Sequence, residues 1–172
     1  MADENATAPD GAASSGDQQA TESPRLLLHS QFLQDLSFEN PNGAKSFTQG
    51  ELAPQVQVNL NVDSRKLGET TYEVALKITA DAKQNDEPCF LVEVDYRGVF
   101  SLTGAEPNVA QAILMIEGPR TIFPFARRIV ADAARDGGFP PLMLEPVDFA
   151  NIYRRRVAEQ TAAAGNGGDA AS

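Results

Sequence analysis

Two runs place carboxylates where they could act together. Asp35, Ser37 and Glu39 stand two residues apart, as do Leu91, Glu93 and Asp95, and in extended chain residues at that spacing share a face. General acid–base work needs such a pair held in a cleft that pushes the two pKa values apart, and a flat solvated sheet does not do that. Two readings remain: the acids keep an exposed sheet soluble, or they form the charged rim of a docking patch for a basic partner, with Leu91 as its apolar centre. His29, the one histidine, falls on an early strand with no nucleophile beside it in the pattern, which fits a structural role. Cys89 follows Pro88 at a strand start with no second cysteine and no histidine at ligand spacing, against a metal or redox centre. No glycine-rich phosphate loop is present. The sequence therefore points to a protein without catalytic residues, cofactor or metal.

The apolar residues carry more information. Phe139, Leu142, Met143, Leu144, Val147 and Phe149 lie in a loop that proline and glycine keep from joining any regular element. Such a loop covers either the protein's own core or another molecule's apolar segment. Phe38, Phe47, Leu52, Tyr72, Phe90, Leu142, Met143, Leu144 and Phe149 come from strands and loops that can converge on one edge of a sheet. For Tyr72 and Phe90, core and groove are equally good readings. For the loop residues a groove is favoured, because adaptable Met- and loop-rich surfaces suit promiscuous binding.

The elements that must position these residues follow from periodicity. Val56, Val58, Leu60 and Val62 alternate with polar residues, and so do Tyr72 to Ala80 and Phe90 to Tyr96, the pattern of half-buried strands. Gly98 permits a bulge or bend before Val99–Leu102. An earlier strand, about Leu26 to Phe38, puts Leu27 and Leu33 opposite Phe32, Leu36 and Phe38, and two partly apolar faces point to a contact with another subunit. The connections Asp63–Thr70 and Ala82–Pro88 make antiparallel hairpins the economical arrangement. Glu39–Pro54 is longer and opens on the turn Asn40-Pro41-Asn42-Gly43.

After Gly104 the period becomes helical. A first helix runs from Pro107 to Gly118 with a stripe of Val109, Ala112, Ile113 and Ile116. A second opens near Pro124, buries Ala126, Ile129, Val130 and Ala133, and stops at Gly137-Gly138. A short third starts at the cap Asp148. Strands followed by helices predict an α+β fold, a four-stranded antiparallel sheet with two main helices and a short C-terminal helix on one face.

Residues 1–24 hold five acids and no base and read as a disordered acidic tail, as residues 159–172 read as a disordered C-terminal tail. Residues 25–158 form the one folded domain. The formal charge is −10, which argues against nucleic acid as a partner. The single cysteine, the absence of a signal-peptide pattern and the absence of a long apolar run predict a cytoplasmic protein that does not insert in membranes.

Several runs resemble the SecB family of protein-export chaperones: DLSFENPN at 35–42, YEVALKITA at 72–80, FLVEVDYRGVFSLTG at 90–104, and IFPFARRIVADAARDGGFPPLMLEPVDFANIY at 122–153. The resemblance implies a homotetramer, a dimer of dimers with helices between two eight-stranded sheets. It implies a function in holding precursor proteins unfolded and passing them to the SecA translocation ATPase, with no enzyme activity of its own. It assigns SecA docking to Asp35, Glu39, Leu91 and Glu93, and the client groove to Phe38, Phe47, Leu52, Tyr72 and Phe90, bordered by the apolar loop. Two rival readings are a SecB-like chaperone for a non-export client such as an antitoxin, and a small-molecule binding protein with an enclosed pocket.

Overall fold

A computed structural model describes residues 23–48, 50 and 53–166, with side chains to residue 164. Leu52, residues 1–22 of the acidic tail and residues 167–172 lie outside the described residues.

The alternating runs form β1 (Arg25–Glu39), β2 (Gln55–Lys66), β3 (Thr71–Gln84) and β4 (Glu87–Thr103). They build one antiparallel sheet in the order β1-β4-β3-β2. The hairpins are tighter than the apolar pattern implied, because pairing continues past the apolar residues. Asn85 and Asp86 alone join β3 to β4, both at positive φ, 53° and 64°, a two-residue turn whose twist matches that of the strands. The predicted turn after β1 is present: Gly43 N donates to Asn40 O at 3.2 Å and leads into a short 3-10 helix, Gly43–Phe47. From there the chain crosses from one sheet edge to the other, tied to the start of β4 by Asn42 Nδ2 donating to Pro88 O at 2.8 Å.

β1 departs from a simple period of two. Its register with β4 shifts between Leu28 and Ser30 and between Leu33 and Asp35, leaving His29 and Gln34 as bulged residues, and each bulge reverses the parity. Leu26, Leu28, Leu33, Leu36 and Phe38 therefore oppose the core-side residues Leu102, Phe100, Tyr96, Val94 and Val92. Leu27 and Phe32 share the outer face. The predicted partition is corrected for Leu33 and Phe32, which exchange faces. Gly98 makes no bulge: β4 is continuous there, and a Cβ on Gly98 would lie 2.6 Å from the Phe100 ring and 3.1 Å from Ile122, so glycine allows close covering of the sheet.

The two main helices predicted from Pro107 and Pro124 are one helix, α1 (Pro107–Asp136), which runs through Pro119 and Pro124. Each internal proline costs about 3 kcal/mol of helix propensity, and burial outweighs it: Gly118, Pro119, Ile122, Phe123, Ala126 and Val130 all pack inward. A Cβ on Gly118 would lie 2.9 Å from Val74 Cγ2, so the glycine read as a stop serves close approach to the sheet. The sheet-facing stripe is Ala110, Leu114, Gly118 and Ile122, one step round from the predicted one, and Val109 is exposed. α1 touches all four strands.

A second helix, α2 (Phe149–Asn166), begins after the predicted cap, with Asn151 N donating to Asp148 Oδ1 at 3.0 Å. It is longer than expected and continues to Asn166, with residues 159–164 exposed and alanine favouring helix there. Helices on one face of an antiparallel sheet make the fold α+β.

Candidate functional site

Register decides the acidic set. Asp35 opposes Asp95, Ser37 opposes Glu93, and Glu39 opposes Leu91, so all six share the outer face, away from α1. Asp35, Glu39 and Glu93 are exposed and Leu91 is half-buried. Glu39 and Leu91 border a depression of about 440 Å³ with Pro41, Asp81, Lys83 and Pro88. Asp95 differs from the others. Arg97 grips it through Nε to Oδ1 at 2.9 Å and Nη2 to Oδ2 at 2.8 Å, and these hydrogen bonds hold its carboxyl below the usual range against the opposing effect of burial.

The apolar set is not one continuous lining. Phe38, Phe47 and Phe90 gather around Phe139: Phe90 lies 4.8 Å from it, Phe47 5.1 Å and Phe38 6.4 Å, ring centre to ring centre. Phe38 also stacks on Phe90 at 5.7 Å. The rings close over Gly137-Gly138, and a Cβ on Gly138 would lie 2.9 Å from Phe47 Cζ. Tyr72 opposes Phe100 near the far end of the sheet, well away from that cluster. Phe149 packs edge-on against Phe123 at 5.7 Å. Phe90, Leu144 and Phe149 are only 2 %, 6 % and 2 % exposed, so within this chain they are core. The even reading for Phe90 falls on the side of packing, and the groove expected for Leu144 and Phe149 is not what this chain shows: Phe90 packs on Phe139 and Phe149 on Phe123, and all three side chains are closed off from solvent.

Accessible apolar surface lies elsewhere. The loop between α1 and α2 runs beside β2 and leaves a cleft of about 540 Å³, walled by Val56, Val58 and Leu60 and by Leu142, Met143, Leu144 and Val147. Met143 is 63 % exposed. β2 is an edge strand of the sheet, so the cleft adjoins backbone not taken up by a further strand.

The chain matches the family model for the preprotein translocase subunit SecB over residues 19–160. It belongs to the SecB family. The protein-export protein SecB of Maricaulis maris is 44 % identical over 162 residues, 91 % of this chain and 94 % of that protein. That of Parvibaculum lavamentivorans is 46 % identical over 146 residues, 85 % of this chain and 87 % of its own. Among solved structures, the Mycobacterium tuberculosis Rv1957 SecB-like chaperone in complex with a ChAD peptide from the Rv1956 HigA1 antitoxin aligns with a TM-score of 0.60 at 12 % identity, covering 72 % of this chain and 91 % of that one. That likeness is one of fold.

In this SecB-family chain the sequence reading missed the β2 wall of the cleft and the role of Phe139 as the centre of the aromatic cluster. Val56, Val58 and Leu60 read only as a strand pattern. The signal available was that a strand at a sheet edge keeps its apolar residues half-buried, but which strand is the edge is a matter of topology. Among the described residues there is no cluster of histidine, cysteine, aspartate and glutamate suited to a metal ion. Among the described residues no helix is long and apolar enough to cross a membrane.

Proposed function

We propose that this protein is a cytoplasmic export chaperone that holds precursor proteins unfolded and delivers them to the SecA translocation ATPase. The observation that carries the reading is an open apolar cleft on the β2 edge, with exposed carboxylates on the reverse of the same sheet. An extended client segment can pair with the β2 backbone while alternate side chains enter the cleft. Burial there contributes roughly 25 cal/mol per Å² of apolar area, less the cost of ordering the segment. Leu142 and Met143 are the contact residues, with buried Leu144 supporting them and Phe47 and Phe38 at the adjoining cluster. Tyr72, Phe90 and Phe149 take part only as supports. On the reverse face Asp35, Glu39 and Glu93 around Leu91 dock the ATPase.

The working form in this reading is a homotetramer. β1 is the other sheet edge, with Leu33 and Leu36 each 42 % exposed. Pairing two such edges gives an eight-stranded sheet. The exposed apolar residues Val109 and Phe125 on α1 supply a second contact, between dimers. Several clefts acting on one long client raise affinity without any sequence code. Identity above 40 % to export proteins, against 12 % to the antitoxin chaperone, favours export clients.

The test uses Glu93→Lys and Met143→Asp in the full-length protein. Glu93→Lys weakens association with the ATPase and spares the holding of a denatured precursor, and Met143→Asp does the reverse. Equal loss of both activities by either variant in a folded tetramer would defeat the proposal.

A further inference from the structure

The carboxylates around Leu91 on the outer face are not equivalent: Asp81, which opposes Leu91, pairs with Lys83 at 3.3 Å, and Asp35, Glu39, Glu93 and Asp95 differ among themselves. Asp35 and Asp95 are direct cross-strand partners, and two like charges so placed repel unless one is neutralised. Arg97 neutralises Asp95 through a two-pronged grip, at 2.9 Å and 2.8 Å. The same guanidinium donates Nη1 to Glu73 Oε1 at 3.0 Å, and Arg65 Nη2 reaches that oxygen at 3.0 Å as well. The side chains of Glu73, Asp95 and Arg97 are 11 %, 14 % and 22 % exposed, so the network is sunk in the sheet surface. Its two arginines balance its two carboxylates. Asp35, Glu39 and Glu93 stand outside it, exposed and with no ion pair among the described residues. The cross-strand neighbours of Glu93 are the uncharged Ser37 and Thr79.

We propose that Arg97 is a specificity-determining residue of the docking face: by closing on Asp95 it withdraws that carboxylate and leaves Asp35, Glu39 and Glu93 as the pattern a basic partner reads. The inference rests on the docking reading above. Arg97 acts through Asp95 and is therefore a positioning residue. Without it, Asp35 and Asp95 would form a general cation trap that any lysine-rich segment of an unfolded client could occupy. Specificity is a difference of affinities, and muting one acid lowers affinity for the wrong cations more than for a partner shaped to the other three. The long side chain of Arg97 is fixed at both ends, so the arrangement needs no partner to form it.

The full-length protein is titrated with the purified translocation ATPase and, separately, with an oligolysine peptide as a probe of unspecific cation binding. Asp35→Asn and Glu93→Gln each weaken ATPase binding about fivefold, the scale of a well-placed exposed charge, whereas Asp95→Asn changes it less than about twofold. Arg97→Gln raises oligolysine affinity several-fold with a steeper salt dependence, and adding Asp95→Asn to it restores the original value. Asp95→Asn is nearly isosteric and decides the matter even where Arg97→Gln folds poorly. Weakening of ATPase binding by Asp95→Asn to the same extent as by Asp35→Asn overturns the proposal, as does an unchanged oligolysine affinity in folded Arg97→Gln. If none of Asp35→Asn, Glu93→Gln and Asp95→Asn moves ATPase binding, the docking reading itself fails and the role of Arg97 falls with it.

Discussion

Asp95 and Gly137 show how single residues translate local chemistry into stability. The carboxyl of Asp95 is held below its ordinary value of 3.8, chiefly by the Arg97 hydrogen bonds. A lowered folded-state pKa stabilises the native state above the ordinary carboxylate range, and that contribution is lost as pH falls through the lowered value. Wild type should therefore be more stable than Asp95→Asn near neutrality, with the difference vanishing in acid, as urea midpoints measured from pH 7 to about pH 2 will show. At Gly137 an added Cβ would collide with the ring of Phe38. Gly137→Ala should cost roughly 1–3 kcal/mol by forcing the aromatic cluster to shift, read from chemical denaturation. Cys89 is buried and its thiol is pushed up mainly by desolvation. Alkylation of the native protein at neutral pH should be much slower than after denaturation.

At the scale of elements, α1 and the loop after it carry the predictions. Pro119 is fully buried while Pro124 is exposed on the same helix. Pro124→Ala restores a backbone donor to the carbonyl of Arg120 at no loss of packing and should stabilise by about 1–3 kcal/mol. Pro119→Ala exchanges the same gain for a void beneath the helix, and its net effect should be much smaller; thermal melts of the two variants compare them directly. The helix was legible in sequence as two pieces because proline and glycine punctuate it, and burial against Val74 and its neighbours overrides that punctuation. The hairpins were legible because the connections Asp63–Thr70 and Ala82–Pro88 are short and the strands alternate cleanly. β1 was legible as a strand but not in its parity, since nothing in the residue types of His29 or Gln34 announces a bulge.

For the whole molecule, β1 is an open edge of the sheet. A charge placed at this edge, as in Leu36→Lys, should shift native mass from the proposed tetramer toward smaller species while the isolated fold survives, because Leu36 lies at the sheet edge and is 42 % exposed in the single chain. Native mass spectrometry with and without a denatured precursor checks this. By itself the sequence determined the four alternating strands, the helical C-terminal half, the wet acidic face and the apolar character of the loop, since periodicity and residue chemistry are local properties. Only the tertiary structure decided that Asp35 opposes Asp95, that Arg97 silences one of the two, and that Val56, Val58 and Leu60 wall the cleft while Phe90, Leu144 and Phe149 sink into the core. Those facts depend on strand order, bulges and the seat of α1, which arise from contacts between residues far apart in the chain and leave no mark in any short stretch of it.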